Sequence, residues 1–306
     1  MRKVFIVGAG GMVGAATAYA IALKEIASDI VLIDIAEDLA RGQAMDIADA
    51  TAYTNGVTIR VGDYTEIAED DIVVITSGAP QKPGQSRREL IATNAKIMTD
   101  VVQQVMAQGK PVFILVVANP VDVLTYVALK VSGLPKERVF GSGTTLDSAR
   151  LRVTLANRLG VSQRHVHAYI LGEHGDSSFP ALAAANFAGI PLDKFPGFTP
   201  DMTDHIQDEI RDKVYKIIET KKSTYFGIGH SVAKLVEALT APTGSIYPVC
   251  SLTDGEYGLH DVVVGLPSLI TPDGVKILDG YPLSKSETEQ LRHSGGIIAD
   301  MIKELP

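Results

Sequence analysis

Seven residues near the start of the chain, Gly8-Ala9-Gly10-Gly11-Met12-Val13-Gly14, narrow the folds open to it more than any other stretch. They follow the β-branched and aromatic run Val4-Phe5-Ile6-Val7 and lead into an alanine-rich stretch suited to a helix. Strand, glycine turn and helix in that order are the setting of a dinucleotide-binding fingerprint. Bare backbone can approach a pyrophosphate there, and the helix N-terminus offers amide donors and positive potential. From Gly8 the spacing is G-x-G-x-x-x-G, one residue longer than the common form; read to Gly14 in the common form, the first glycine place is held by Ala9.

A second apolar run, Ile30 to Ile33, ends on Asp34, where the fingerprint expects an acid. A carboxylate there can accept both ribose hydroxyls of NAD and would repel the 2'-phosphate of NADP; the plainer reading is a solvated acid at a strand end. Further runs follow at Val57–Val61, Ile72–Thr76, Val112–Val117 and Arg138–Phe140, with helical stretches between most of them. Continuous apolar runs of this kind suit a parallel sheet covered on both faces. The expected fold class is therefore α/β: a Rossmann-type doubly wound parallel sheet over residues 1–142, followed by a mixed α+β catalytic domain over 143–306. Ligands of such a sheet lie at the carboxyl ends of the strands. Ser77-Gly78-Ala79 and Ala118-Asn119-Pro120 fall at two of these ends.

In the second half the pattern predicts helices over 146–159, 202–222 and 227–239. Strands are expected over 246–252, 261–264 and 275–278. A last helix should open at Ser284, where Ser284 and Glu287 fit a capping box.

The net charge of −8 leaves no electrostatic footprint for nucleic acid or an anionic membrane. Cys250 is the only cysteine, so no intrachain disulfide can form, which suits a cytoplasmic location. Arg2 and Lys3 before the uncharged run Val4–Leu23 imitate a signal peptide. Gly8, Gly10, Gly11 and Gly14 would weaken a membrane helix, and ligand binding accounts for all four.

Of the seven histidines, only His174 sits in an open glycine-bearing setting, Leu171-Gly172-Glu173-His174-Gly175, at the end of the apolar run His167–Leu171. Glycines there let the backbone turn and leave the ring open to a ligand. A histidine can take and return a proton near neutral pH. On this stretch alone, a histidine that merely ends a strand is an equal reading. In the helix over 146–159, Asp147 and Arg150 are three apart and share a face. Arg152 is turned from Arg150 by about 200°. His167 and His174 have opposite parity on an extended segment. Arg152 and His167 therefore read as a second location. Between them in interest is the polar, turn-rich loop Pro80–Arg88, which reads as an exposed lid.

Gly8 to Gly14, Asp34, Gln81 to Arg87, Ala118-Asn119-Pro120, Leu146 to Arg150 and Gly172-Glu173-His174-Gly175 together closely resemble the L-lactate/malate dehydrogenase family, in its order and through essentially the whole chain. The likeness is greatest to its bacterial lactate-type members. The resemblance implies NAD-dependent, reversible reduction of pyruvate to L-lactate. It makes His174 the general acid/base, Asp147 the carboxylate that orients it, Arg150 the clamp on the substrate carboxylate, and Arg87 a loop-borne charge that polarises the carbonyl. Asn119 would bond to substrate or to the nicotinamide ribose. Gly8, Gly10, Val13, Gly14, Asp34, Tyr64, Gly78, Ala79 and Val117 would form the cofactor groove.

Gln81, where malate-using members resemble one another in carrying arginine, would leave the second carboxylate of oxaloacetate unpaired. With Thr224 it implies the lactate-type pocket. Arg152 and His167 match residues that bind fructose 1,6-bisphosphate between subunits in regulated bacterial members. A homotetramer is expected on the same ground.

Malate dehydrogenase, or an enzyme for longer 2-hydroxy acids, is the competing reading, and a non-catalytic NAD-binding module is a more distant one. A hydrolase would use Gly229-His230-Ser231-Val232-Ala233, which lacks the last glycine of a nucleophile elbow and lies in a helical pattern. A metal held by His165, His167 and His174 would need an acid or cysteine that the spacing does not supply.

Overall fold

The computed structural model describes residues 2–80, 84 and 86–305. Its first six strands are β1 (Val4–Val7), β2 (Asp29–Ile33), β3 (Thr58–Val61), β4 (Ile72–Ile75), β5 (Phe113–Val116) and β6 (Val139–Gly141). They pair in parallel in the order β3-β2-β1-β4-β5-β6, the doubly wound arrangement expected from the apolar runs. Alternation along each strand feeds two cores. Val4, Ile6, Leu32, Val74 and Leu115 face one side with α1 (Met12–Leu23) and α2 (Glu37–Ala50). Phe5, Val7, Val31, Ile75 and Val116 face the other with α3 (Arg87–Met106) and α4 (Val121–Ser132). Both faces being covered explains why these strands read as unbroken hydrophobic runs.

The second half does not build a separate sheet for its later strands. β10 (Ser245–Asp254), β11 (His260–Thr271) and β12 (Gly274–Ile277) extend the same sheet to nine strands, with β10 running antiparallel beside β6 through the Cys250–Gly141 pairing. β11 is longer than the 261–264 expected from sequence. Its Pro267 faces Pro248 of β10, and the pairing continues past both. α7 (Phe226–Thr240) also crosses to the first half and packs its Val232, Leu235, Val236 and Leu239 into the core under α1.

A small antiparallel sheet, β7 (Val166–Leu171), β8 (Phe179–Phe187) and β9 (Ile190–Pro191), packs against α5 (Thr145–Leu159) and α6 (Ile206–Lys221). α6 begins four residues later than the 202 expected, because Pro200–Thr203 forms a separate 3₁₀ turn. α8 (Lys285–Lys303) opens on the capping box of Ser284 and Glu287. Glu287 is buried and also accepts from the N–H groups of Leu182 and Ala183 at 2.6 and 2.9 Å, so the cap ties α8 to β8. The run that imitates a signal peptide is split between β1 and α1, and no helix among the described residues is long and apolar enough to cross a membrane.

Candidate active site

The glycine turn after β1 settles its own register. Gly8 has φ +87° and any side chain on it would lie 2.6 Å from the Ser77 backbone nitrogen. A Cβ on Gly14 would meet the Gly8 carbonyl oxygen at 2.5 Å, so helix and turn touch as backbone against backbone. The extra residue is absorbed between them: Gly11 caps α1 and its N–H donates to the Gly8 oxygen at 3.1 Å. Gly10 donates to Asp34 Oδ2 at 2.9 Å, and Ala36 N–H donates to Oδ1 at 2.9 Å. Asp34 thus stands fixed beside the turn, with acceptor capacity left on both oxygens. Burial first, and then the charge of Asp34, push the Tyr64 phenol up to about 12. A bare turn and a helix N-terminus that donate, with a fixed carboxylate that accepts, are the groups that a dinucleotide requires.

The loops after β4 and β5 converge through a residue that the sequence did not single out. Asn94 of α3 is 2% exposed; its Oδ1 accepts from Ala79 N–H at 2.8 Å, and its Nδ2 donates to the carbonyls of Ala79 and Asn119 at 3.2 and 2.9 Å. One amide therefore sets the Gly78-Ala79 segment against Asn119. A polar residue within an amphipathic helix carries no sign of this in sequence.

Beyond these strand ends lies a cavity of 310 Å³, into which Val13, Val117, Asn119, Asp147, Arg150, His174 and Thr224 all open. His174 Nδ1 lies 2.7 Å from Asp147 Oδ2, and Arg150 Nη1 donates to Asp147 Oδ1 at 2.9 Å. The shared helix face of Asp147 and Arg150 on α5 is thereby confirmed. Ser148, between them, accepts from Ile170 N–H at 2.8 Å and so fixes α5 against the strand that leads to His174.

A second carboxylate reaches the histidine from the other half of the chain. Asp122, in the first turn of α4 and 2% exposed, accepts from the His174 backbone N–H at 2.8 Å through Oδ2. Its Oδ1 is buried with no well-formed partner among the described residues. Burial pushes the Asp122 carboxyl up to about 7, against the opposing pull of the His174 N–H and ring. For His174, burial works to lower the pKa, but the charge and hydrogen bond of Asp147, joined by the charge of Asp122, outweigh it and raise the imidazole to about 9. The ring still opens to the cavity, with 29% of the side chain exposed. Asp147, though burial opposes it, is held below the ordinary aspartate value by His174 and Arg150. The arrangement holds a protonated imidazole beside a cavity at neutral pH.

Three expectations need correcting. Arg87 is not carried on the loop: it is the first residue of α3, after the Ser86–Glu89 capping box, and its guanidinium binds Glu173 at 2.7 Å instead of lining the cavity. Gly175 does not merely open the histidine to a ligand; a Cβ there would lie 2.7 Å from the Glu173 carboxyl carbon. The third concerns α6, which supplies Gln207, Ile210, Arg211, Val214 and Tyr215 to the cavity wall, although the sequence reading placed only Thr224 there from this region. Gln81 lies outside the described residues.

Arg152 and His167 stand outside the cavity, as expected, although β7 is irregular between His167 and Tyr169 and ends at Leu171, so strand parity is not what separates His167 from His174. Arg152 Nη2 donates to the Gln163 carbonyl at 3.2 Å, and His167 is exposed on β7. Ser231, the would-be nucleophile, is buried within α7 and donates to the Gly227 carbonyl at 3.0 Å. Gly229 beside it serves packing, since a Cβ would meet the α1 backbone at Ala16, 2.7 Å away. Among the described residues no cluster of histidine, cysteine or acid could hold a metal ion.

Residues 2–141 match the lactate/malate dehydrogenase NAD binding domain, and residues 144–305 match the lactate/malate dehydrogenase alpha/beta C-terminal domain. An L-lactate dehydrogenase of Latilactobacillus sakei is 40% identical, over 98% of this chain and 94% of its own length. One from Thermoanaerobacter is 41% identical, over 100% of this chain and 99% of its own. Among solved structures, the minor L-lactate dehydrogenase of Enterococcus mundtii superposes with a TM-score of 0.95 at 37% identity, covering 100% of this chain and 98% of that one. The glycine turn, the fixed acid and the histidine cavity agree with those matches: the chain belongs to the lactate/malate dehydrogenase family, and its cofactor is NAD.

Proposed function

We propose that this protein is an L-lactate dehydrogenase, reducing pyruvate to L-lactate and running in reverse when lactate and NAD prevail. The observation that carries the reading is the run from Arg150 to Asp147 to His174, at 2.9 and 2.7 Å, facing a cavity that also receives Asn119 and Thr224. NADH, held at the Gly8–Gly14 turn and Asp34, would supply the hydride for the carbonyl carbon. His174, protonated at neutral pH, gives its proton to the carbonyl oxygen and recovers it from the hydroxyl in the reverse direction. Asp147 holds the imidazole with Nδ1 toward itself, which leaves Nε2 for the substrate, and stabilises the imidazolium. Arg150, with Nη1 on Asp147, keeps other N–H groups for the substrate carboxylate, where a planar fork binds better than a lysine would. Arg87 is assigned the carbonyl oxygen, and Asn119 a bond to substrate or to the nicotinamide ribose.

Preference for pyruvate over oxaloacetate rests on Gln81 and Thr224. A neutral Gln81 offers a second carboxylate no cation at that position. The relatives, L-lactate dehydrogenases at about 40% identity over nearly the whole chain, support the same choice. Steady-state NADH oxidation with each acid tests it. The expected result is strong preference for pyruvate, moved toward oxaloacetate by Gln81→Arg; a variant that kept the original margin would remove Gln81 from the argument.

We place the working boundary of the two domains between residues 142 and 143, the protein in the cytoplasm, and its assembly as a homotetramer. Fructose 1,6-bisphosphate is assigned to Arg152 and His167. A guanidinium suits a phosphate, which favours an anion at Arg152. A bisphosphate that changed neither pyruvate affinity nor assembly would remove this assignment.

A further inference from the structure

Glu173 lies inside the histidine motif, and the chemistry above gives its carboxylate nothing to do. Yet the side chain is built in with care: it is 4% exposed, and both oxygens are engaged. Oε1 accepts from Arg87 Nη2 at 2.7 Å and Oε2 from the Ser177 hydroxyl at 2.6 Å. Its backbone N–H donates to Ser294 Oγ of α8 at 2.7 Å, and Ser294 Oγ stands 3.0 Å from Ser177 Oγ. Gly175 keeps open the volume the carboxylate fills.

The two partners differ in kind. Removing a carboxylate from water is costly unless it is paired, so Glu173 depends on its cation. Arg87 is 60% exposed and gains little from an ion pair for its own sake. A rigid buried anion thus faces a long, movable cation that starts α3, and it does so one residue from His174.

We infer that Glu173 is a positioning residue for Arg87: its fixed carboxylate anchors one edge of the guanidinium beside the histidine motif and orients it before substrate arrives. The inference rests on the reading in which Arg87 acts on the substrate carbonyl. A guanidinium has five N–H donors in a planar fork, so one nitrogen held by Glu173 leaves the others to turn toward a carbonyl oxygen.

The test is a double-mutant cycle on the NADH-loaded enzyme, using Glu173→Gln, Arg87→Ala and both together, with single-turnover pyruvate reduction, pyruvate KM, NADH affinity and thermal midpoint measured for each. Glu173→Gln keeps the shape and the bond from Ser177 while removing the charge. It is expected to slow the single turnover by about ten-fold or more through misplacement of Arg87, to leave NADH affinity intact, and to add nothing in the Arg87→Ala background. Added guanidinium should restore turnover to Arg87→Ala and fail with the double variant, a readout that a purely structural role would not move. Equal losses in both backgrounds, or a Glu173→Gln enzyme as fast as or faster than the parent, would overturn the inference; the faster enzyme would mean that Glu173 holds Arg87 away from the chemistry. If Arg87→Ala itself kept full turnover, the role of Arg87 would be what failed, and the positioning role would fall with it.

Discussion

Glycine serves opposite ends in the two parts of this active site. After β1, Gly8 and Gly14 let backbone meet backbone, so that a turn and a helix close on each other and leave N–H groups for a phosphate. After β7, Gly172 and Gly175 make room for side chains from elsewhere: a Cβ on Gly172 would meet Ser294 Oγ at 2.6 Å, and one on Gly175 the Glu173 carboxyl carbon at 2.7 Å. The first site is built mainly from Gly8–Gly14 and Asp34, with Thr76 and Ser77 of the neighbouring strand end against it. The second is assembled from α3, α4, α5 and α8 around one histidine. The local site should fail through binding when disturbed, and the assembled site through chemistry.

The sharpest way to break that contrast is His174→Ala. Loss of a general acid should lower turnover by roughly 10²–10⁴-fold while NADH binding, followed by fluorescence titration, stays near that of the parent. An active His174→Ala enzyme would end the proton-transfer assignment. Gly14→Val asks the converse. With the Gly8 oxygen only 2.5 Å from a Cβ, the turn must shift, and overpacking of this kind costs about 1–3 kcal/mol. NADH affinity should fall well before the histidine site is disturbed, so a variant that bound NADH normally but reacted slowly would contradict the division between the two regions.

The smallest effect is a shift in pH dependence. With the imidazole raised to about 9, kcat/KM for pyruvate should fall as pH rises through about 9, and that for lactate should climb over the same window. Asp147→Asn removes the largest contribution that raises the pKa, so both limbs should move to lower pH. Asp122→Asn should move them less, since an amide oxygen still accepts the His174 N–H and only the more distant charge is lost. The same raised pKa bears on stability. The folded state holds the proton more tightly than the unfolded chain, so the contribution is full below pH 6.5 and is lost as pH rises through about 9. A titration limb unmoved by Asp147→Asn would show that another group sets it.

Where sequence reading succeeded, the reason was periodicity or contiguity. Six apolar runs gave the parallel strands because all but the edge strand β3 are buried on both faces, and Gly8–Gly14 with Asp34 could be read because the turn and its acid belong to neighbouring strands. Asp147 and Arg150 could be paired because a helix puts residues three apart on one face. β8 was not anticipated. Phe179–Phe187 holds Pro180 and four alanines, which argue against a strand, and only its pairing with β7 makes it one. Arg87 was read as part of a lid because Pro80–Ser86 is rich in turn formers, while the Ser86–Glu89 capping box that starts a helix at Arg87 went unread.

The sequence alone determined the parallel sheet, the glycine turn with its acid, and the identity of the histidine that could move a proton. Each of these depends on residues close in the chain, where backbone geometry fixes what faces what. Tertiary structure alone decided that Asn94 would clamp two strand ends, that Asp122 would reach His174 from the opposite half, and that Glu173 would hold Arg87. Those contacts join residues 25, 52 and 86 positions apart. No periodicity links such pairs; only the closing of one nine-stranded sheet across both halves brings them within hydrogen-bond reach.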